Sequence, residues 1–287
     1  MKTILVTGAN GQLGQEIRAI AGSFPNFQFA FLTREDLQIH ELDSLTAAFD
    51  KYAPDYLINC AAYTAVDKAE SEQALAYQIN AEAVGNMATL CAARSCKFIH
   101  VSTDYVFDGK GNKPYQPSDA TNPQSVYGST KLEGERLAQT NNPDSIIIRT
   151  SWVYSEFGKN FVKTMLRLMA EKPEINVVAD QFGCPTYAAD LAAAIMQIIY
   201  SGNWVGGLYH YCNDGAISWH QFATAIGEEA GFATQVNPIP SSAYPTPAQR
   251  PAYSVLNNQL LAQTFQVETK PWRESLRKCL ARVENIS

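Results

Sequence analysis

The sequence predicts an α/β fold, a doubly wound parallel sheet followed by a smaller carboxyl-terminal α/β lobe. Short apolar runs alternate with amphipathic helical patterns along the chain, as expected when helices join parallel strands. The first apolar run, Lys2 to Val6, passes directly into a glycine-rich turn. The chain has 287 residues, 46% of them apolar, which is enough for one large sheet domain and a second lobe.

The elements follow from the spacing of apolar residues. The predicted strands are Thr3–Val6, Gln28–Leu32, Tyr56–Asn59, Phe98–Ser102, Ser145–Arg149, Ile175–Val178 and Leu208–Tyr211. The predicted helices are Gln12–Ala21, Ser44–Tyr52, Ser71–Arg94, Ser125–Gln139, Lys159–Ala170, Tyr187–Tyr200, Trp219–Ala230, a short one near Asn257, and Trp272–Val283. We expect residues 1–150, rejoined by about 186–211, to form the sheet domain. Residues 151–185 and 212–287 then form the smaller lobe.

The glycine-rich turn has the spacing of a dinucleotide-binding loop. Gly8, Gly11 and Gly14 follow a predicted strand and open an amphipathic helix. The early glycines allow the backbone to approach a pyrophosphate, and the last lets the helix pack on the strand. Exposed amides at the helix start then face the phosphate charge. This predicts an NAD(P)-binding Rossmann domain, with cofactor contacts from Gly8, Asn10, Gly11, Gln12, Leu13 and Gly14.

Tyr127 and Lys131 stand four residues apart in the run from Val126 to Lys131. On a helix this spacing places phenol and ammonium on one face. A phenol exchanges a proton at neutral pH only if its anion is stabilised, and a nearby cation does that. An ordinary amphipathic pair is the alternative, but the glycine loop favours a hydride-transfer enzyme with Tyr127 as the proton donor.

Ligands of a doubly wound sheet bind beyond the carboxyl ends of its strands. The run Ala61-Ala62-Tyr63 follows the third predicted strand and leaves room for the cofactor. Thr103 and Asp104 follow the fourth, where Thr103 can bond a substrate oxygen or the Tyr127 hydroxyl. Trp152 follows the fifth and could face a deoxysugar. Capping by Asp104 and core packing by Trp152 are the structural alternatives.

Composition excludes several classes of function. The net charge is −6 and no basic stripe exists to neutralise nucleic-acid phosphates. No apolar stretch approaches the roughly 20 residues that span a bilayer, and the amino terminus is a strand rather than a signal peptide. We therefore expect a cytoplasmic protein that binds neither nucleic acid nor membrane. The six cysteines and four histidines show no metal-ligand spacing, so no metal site is predicted from them.

Six motifs together resemble the dTDP-4-dehydrorhamnose reductases, a family of the extended short-chain dehydrogenase/reductases, and the similarity covers nearly the whole chain. They are Thr7-Gly8-x-x-Gly11-x-x-Gly14, Ser102-Thr103-Asp104-Tyr105-Val106-Phe107, Tyr127-Gly128-x-Thr130-Lys131, Arg149-Thr150-Ser151-Trp152-Val153-Tyr154, Asp180-Gln181-x-Gly183-x-Pro185-Thr186 and Tyr244-Pro245-Thr246-Pro247-Ala248-x-Arg250-Pro251. The resemblance implies reduction of the 4-keto group of dTDP-4-dehydro-L-rhamnose by NADPH or NADH, the last step of dTDP-L-rhamnose synthesis. A dTDP-sugar is then the small-molecule partner.

The resemblance also implies roles for individual residues. Tyr127 gives the proton, Thr103 positions the ketone oxygen, and Lys131 lowers the pKa of the phenol and holds the nicotinamide ribose. Thr103, Asp104 and Trp152 contact the sugar. Asn160 and Arg250 are candidates for the sugar-nucleotide diphosphate, Arg250 from a rigid proline-rich segment that is either a surface connector or a lid.

Two positions depart from the family pattern. Gln38 stands where many members carry an adenosine-binding Asp, so an amide would have to serve there. Arg34, just past the second predicted strand, carries the charge that a 2′-phosphate needs, which favours NADPH over NADH. Some relatives bind Mg²⁺ at a dimer contact. Glu16 matches one acidic ligand, but Ala189 falls at another, beside Asp190, so the sequence leaves a homodimer open and gives no support for the metal.

Two rival functions remain. A non-catalytic NADP-binding regulatory subunit, as found with methionine adenosyltransferase, would not need Thr103, Tyr127 and Lys131 together. Another 4-ketosugar-nucleotide reductase or an epimerase would use the same Tyr and Lys. Dehydratases of this fold usually carry an acid after Thr-Asp, whereas here Tyr105 follows Asp104, which favours simple reduction.

Overall fold

A computed structural model describes residues 1–283 of the chain. Its strands are β1 Lys2–Thr7, β2 Phe27–Leu32, β3 Tyr56–Asn59, β4 Lys97–Thr103, β5 Ile146–Thr150, β6 Val153–Tyr154, β7 Glu174–Val178, β8 Phe182–Gly183, β9 Thr186–Tyr187, β10 Gly207–His210, β11 Ile217–Ser218 and β12 Gln235–Ile239. Six of them form one parallel sheet in the order β10-β5-β4-β3-β1-β2. The predicted fold class, an α/β protein with a doubly wound parallel sheet, is confirmed.

The helices are α1 Gln12–Ile20, α2 Leu42–Tyr52, α3 Val66–Ala69, α4 Gln73–Tyr77, α5 Ala83–Ala93, α6 Val126–Asn141, α7 Phe161–Glu171, α8 Ala188–Ser201, α9 Trp219–Ala230, α10 Gln259–Phe265 and α11 Trp272–Val283. None of these helices is long and apolar enough to cross a membrane.

Both faces of the sheet are buried, which explains why its strands are continuously apolar. In β1 the side chains of Ile4 and Val6 enter the core beneath α1 and α8, while Leu5 enters the opposite core beneath α2 and α5. The order in which strands are added to the sheet reverses between β1 and β3. The strand β2 lies on one side of β1, and β3, β4, β5 and β10 follow on the other side. Ligands bind at such a switch point.

The remaining strands form two-stranded sheets outside the main one. The predicted strand Ile175–Val178 is part of β7, which pairs with β12 outside the main sheet. The strand β12 was not among the predicted strands. It contains Pro238 and pairs with a single neighbour, where a missing amide donor is tolerated. The exact domain boundaries stay a prediction.

The predicted helix Ser71–Arg94 is interrupted. The chain forms α4, then a wider π-helical turn at Gln78–Glu82, then α5. The turn places Asn80 where its side chain accepts from the Tyr63 amide (2.8 Å) and donates to the Tyr63 carbonyl (3.1 Å) and to Thr130 (3.2 Å). This single side chain therefore joins the loop after β3 to helix α6, a functional use typical of π turns.

Candidate active site

A crevice of about 810 Å³ opens at the carboxyl ends of β1, β2, β3 and β4. Most of the residues predicted to bind cofactor line it, namely Gly8, Asn10, Gly11, Gln12, Leu13, Arg34, Gln38, Ala61, Ala62, Tyr63 and Lys131. Tyr127 lines it too. The crevice is therefore large enough for a dinucleotide and brings the glycine loop and the Tyr–Lys pair into one space.

The glycine loop is shaped by close backbone contacts. Gly8 has a φ of +65°, and a β-carbon there would lie 2.6 Å from the Ala61 backbone nitrogen. A β-carbon on Gly14 would lie 2.6 Å from the Gly8 carbonyl oxygen, so Gly14 supports the crevice without lining it. Helix α1 then begins after Gly11 with no acidic residue in its first turn. Its amides and dipole can hold a pyrophosphate.

Tyr127 projects from the first turn of α6, which Ser125 caps by accepting from the Gly128 amide (3.1 Å). Burial raises the pKa of Tyr127 to about 12; the Thr103 hydroxyl opposes this shift and the Asp104 carboxylate adds to it. The phenol is therefore protonated at neutral pH. A proton donor for a carbonyl that is being reduced must start in that state.

Lys131 lies one turn further along α6 and is 1% exposed. Its ammonium donates to the Val101 carbonyl (2.7 Å) and contacts His100 Nε2 (3.2 Å). Burial lowers the pKa of Lys131 to about 8, and Glu135 opposes the shift. That Lys131 lowers the pKa of Tyr127 stays a prediction; in this structure burial is the largest influence on the pKa of the phenol, and the ammonium donates to a carbonyl of β4.

Thr103 and Asp104 end β4 beside the Tyr127 ring. Thr103 Oγ1 donates to Asp104 Oδ1 (3.0 Å) and accepts from the Tyr105 amide (3.2 Å). Burial raises the pKa of Asp104 to about 6, against the opposing effects of the Ser254 and Thr103 hydroxyls. Both residues are at most 5% exposed and lie behind the wall of the crevice. The Thr103 hydroxyl thus interacts with the Tyr127 phenol without lining the crevice.

Three predicted substrate residues lie outside the crevice. Trp152, with a φ of +49°, stacks on Trp219 with ring centroids 3.5 Å apart. Asn160 caps α7, accepting from the Lys163 amide (3.1 Å) and donating to Gln12 Oε1 (2.9 Å). Arg250 forms a salt bridge with Asp67 (2.8 Å), which ties the proline-rich segment to α3. The polar groups of Asn160 and Arg250 already have protein partners and Trp152 packs on Trp219, so the substrate contacts of all three stay predictions.

The adenosine end of the crevice holds Arg34 and Gln38. Arg34 is exposed, while Gln38 Nε2 donates to the Arg34 carbonyl (2.6 Å). The amide of Gln38 thus orders the turn that presents the guanidinium. This geometry suits a 2′-phosphate near Arg34 better than direct reading of adenine by the Gln38 amide group.

Sequence reasoning missed two features that position the catalytic helix. One is Asn80, which gave no distinct signal because Gln78, Glu82 and Asn86 lie in the same helical run. The other is a buried ion pair: Arg149 at the end of β5 binds Glu135 of α6 through Nε (2.9 Å) and Nη2 (2.7 Å), with both side chains 3% exposed. The signal for this pair was Arg149 directly after three isoleucines, whereas Glu135 lies among other charged residues and gave none.

The residues that would hold Mg²⁺ do not fit that ion. Asp190 is bound by Lys270, Asn213 and Ser275. Glu16 is fully buried, accepts from Ser155 Oγ (2.7 Å) and lies 3.6 Å from the Arg282 guanidinium, which also binds Glu156 (3.0 Å). A guanidinium thus already lies where a cation between these two carboxyl groups would bind. Among residues 1–283, no three His, Cys, Asp or Glu side chains form a metal-binding group.

This carboxylate pair predicts a pH dependence of stability. Burial and the neighbouring Glu156 raise the pKa of Glu16 from 4.5 to about 8. As the pH rises, the unfolded chain loses this proton first, so the folded state loses stability between about pH 4.5 and 8. We expect Glu16→Gln to remove that loss, with melting temperatures similar to wild type near pH 5 and higher at pH 9. Thermal unfolding from pH 5 to 9 measures these melting temperatures, and Glu133→Gln, at a partly exposed position, is the control. Parallel curves for wild type and Glu16→Gln would refute the buried proton.

The fold and the crevice define a dinucleotide-binding protein of Rossmann type with a Tyr–Lys pair, the short-chain dehydrogenase/reductase class. A family model described as "RmlD substrate binding domain" matches residues 1–285. A dTDP-4-dehydrorhamnose reductase of Aggregatibacter actinomycetemcomitans is 40% identical, over 99% of this chain and 100% of that one. The chain therefore belongs to the dTDP-4-dehydrorhamnose reductase family, and it is an oxidoreductase.

Two further relatives bear on function. The spore coat polysaccharide biosynthesis protein SpsK of Bacillus subtilis is 41% identical, over 98% of this chain and 97% of the relative. A solved structure of dTDP-4-dehydrorhamnose reductase from Bacillus anthracis in complex with NADP superposes with a TM-score of 0.94, at 36% identity over 98% of this chain and 100% of that one. The second of these supports the dinucleotide site.

Proposed function

We propose that this protein reduces the 4-keto group of dTDP-4-dehydro-L-rhamnose to dTDP-L-rhamnose, with NADPH or NADH as the reductant and Tyr127 as the proton donor. The reaction would complete dTDP-rhamnose synthesis. The observation that carries the proposal is the protonated phenol of Tyr127 in the same crevice as the glycine loop and Lys131. The names of the relatives supply the substrate.

The cofactor would be held by the amides of α1 and by the run Ala61-Ala62-Tyr63, with Arg34 favouring NADPH through its 2′-phosphate. When bound, it supplies the hydride. Residues of the chain would supply the proton and orient the proton donor. As negative charge develops on the ketone oxygen, Tyr127 donates its proton to that oxygen. Thr103 lies behind the phenol and orients its hydroxyl.

The sugar nucleotide would lie beyond Tyr127, towards the smaller lobe. Asp104 and Trp152 are the proposed sugar contacts, and Asn160 and Arg250 the proposed diphosphate contacts. Support for Arg250 is its place on the proline-rich segment, where its guanidinium is held by a partly exposed bridge to Asp67 of α3. An exposed pair of this kind is weak, so a diphosphate can compete with Asp67 for the guanidinium.

The test is direct. Purified protein is mixed with NADPH, or in parallel with NADH, and enzymatically prepared dTDP-4-dehydro-L-rhamnose. We expect loss of the reduced-nicotinamide absorbance, faster with NADPH, and dTDP-L-rhamnose as the product. A different 4-keto-6-deoxysugar nucleotide serves as the control for sugar specificity. Cofactor binding without turnover of any ketosugar would favour the regulatory-subunit alternative, and faster turnover of the control sugar would favour another 4-ketosugar reductase.

A further inference from the structure

The segment between β6 and α7, residues 155–160, belongs by sequence to the smaller lobe, yet it forms part of the wall of the crevice. Gly158 and Lys159 line the crevice, whereas Asn160 does not. Lys159 is exposed, and no side chain or carbonyl of residues 1–283 forms an ion pair or hydrogen bond with its ammonium. The crevice therefore contains a cation that no step of the proposed reaction uses.

Hydrogen bonds join this segment to the start of α1. The side chain of Gln12, the first residue of α1, accepts from Asn160 Nδ2 (2.9 Å) and donates to the Val153 carbonyl (3.4 Å). On the other side of Lys159, a β-carbon on Gly158 would lie 3.2 Å from Gln12 Cγ. Both neighbours of Lys159 thus lie against the residue that opens α1, which places Lys159 beside the glycine loop.

The backbone that carries Lys159 is held in one shape by the segment's own hydrogen bonds. Asn160 Nδ2 also donates to the Ser155 carbonyl (2.6 Å), and Asn160 Oδ1 accepts from the Lys163 amide (3.1 Å). The Phe157 amide donates to Ser155 Oγ (3.0 Å). A side chain on a backbone that is already ordered loses less entropy when it binds a ligand. The lysine is therefore suited to bind an anion in the crevice.

The glycine loop itself brings no charged side chain to a pyrophosphate. Residues 8–14 contain no acidic or basic residue, and the amides of α1 supply partial charges. The other lysines and arginines that line the crevice are Arg34 after β2, Lys68 in α3 and Lys131 in α6. Lys159 is the cation whose chain neighbours contact the start of α1.

We propose that Lys159 binds the pyrophosphate of the nicotinamide dinucleotide, so that the smaller lobe adds a full positive charge to the phosphate site formed by the glycine loop. An ammonium on a flexible stem binds phosphate oxygens as a point charge. Because the side chain is exposed, salt weakens the attraction. The inference rests on the proposed function in one respect, namely that a dinucleotide occupies the crevice.

Two other anions compete as ligands of Lys159. The 2′-phosphate of NADPH is assigned to the adenosine end of the crevice, where Arg34 lies. The diphosphate of the sugar nucleotide is assigned to Asn160 and Arg250, which lie outside the crevice. Since Lys159 lines the crevice next to the glycine loop, the pyrophosphate of the cofactor is the anion that its position favours.

The test measures the binding of NADPH, NADH and dTDP to the full-length protein by calorimetry, without any ketosugar. Lys159→Gln should raise the Kd of NADPH and of NADH by the same factor, about tenfold, because both carry the pyrophosphate. The Kd of dTDP should not change. A loss for NADPH alone would place Lys159 at the 2′-phosphate, and a loss for dTDP alone would place it at the sugar nucleotide. Either result, or three unchanged affinities, overturns the proposal.

Two variants control for charge and position. Lys159→Arg keeps the positive charge, so both cofactors should bind it nearly as tightly as wild type. Lys172→Gln removes an exposed lysine at the other end of the 11-residue helix α7, about 16 Å away, and should leave all affinities unchanged. Equal losses in Lys159→Gln and Lys172→Gln would show an effect of overall charge and contradict the contact. Every readout is binding, so a lack of reductase activity leaves this test intact.

Salt gives a further check on the same proteins. Raising the ionic strength should narrow the difference in cofactor Kd between wild type and Lys159→Gln, since a partly exposed ion pair is screened. A difference that does not change with salt would contradict a charge contact at Lys159.

Discussion

Tyr127→Phe should lower kcat by about 10²–10⁴-fold, the usual contribution of a positioned proton donor. The substitution removes the hydroxyl proposed to donate to the ketone oxygen but keeps the ring, which packs edge-on against Tyr105 with centroids 5.5 Å apart. Cofactor affinity should therefore be nearly unchanged. Steady-state rates with the ketosugar, together with fluorescence titration of NADPH, separate the two effects.

The matched control is Tyr209→Phe. It also removes a single tyrosine hydroxyl, but that hydroxyl donates to the Val205 carbonyl (3.0 Å) at the β10 edge of the sheet. We expect its kcat to stay close to wild type. If Tyr127→Phe kept near-normal turnover, the assignment of Tyr127 as proton donor would be wrong and another donor would have to supply the proton.

Arg149→Met should destabilise the protein by about 3–5 kcal/mol, because it leaves one charge of a buried pair without its partner. Arg149 and Glu135 are both 3% exposed and meet through two hydrogen bonds. In the variant the carboxylate keeps the hydrogen bond from the Ser102 hydroxyl (2.5 Å) but loses both bonds from the guanidinium. Chemical denaturation at neutral pH measures the loss, which is a large part of the stability of a typical domain.

An exposed pair on the same helix provides the comparison. Arg136 lies 3.5 Å from Glu133, and both are solvent-accessible. Arg136→Met should cost less than about 1 kcal/mol, as exposed pairs do. We also expect the double change Glu135→Leu and Arg149→Met to be less destabilising than Arg149→Met alone, since no unpaired charge remains. Equal losses at the two arginines would contradict a structural role for the buried pair.

The parts of the site that depend on local spacing were predicted from the sequence. The glycine loop is one, since turn, close backbone approach and helix start lie within a few residues. The pair of Tyr127 and Lys131 is another, because a helix turn alone brings them together. Both line the crevice.

The parts that depend on packing could not be predicted in this way. Thr7, Asn59 and His100 are joined by hydrogen bonds only because β1, β3 and β4 are adjacent in the sheet. The contacts of Lys131 with the Val101 carbonyl and with His100 also join a helix to a neighbouring strand, which residue spacing along the chain does not reveal.

The same limit applies to the substrate side. The motifs identified Trp152 and Arg250 as candidates. The directions of these side chains depend on Trp219 and Asp67, which lie far away in the sequence. The prediction of a continuous helix over Ser71–Arg94 failed for a related reason. The periodicity of apolar residues does not distinguish a π turn from a continuous α-helix, and the turn is stabilised by contacts of Asn80 with Tyr63 and Thr130.

The proposed reaction transfers a hydride from a nicotinamide to the 4-keto carbon of the sugar. The most direct measurement is turnover with NADPH carrying deuterium at the transferable position of the nicotinamide, followed by NMR of the sugar nucleotide formed. We predict one deuterium at carbon 4 of dTDP-L-rhamnose and none elsewhere. Product in which carbon 4 carries only protium, or deuterium that remains entirely on the nicotinamide, would contradict the account.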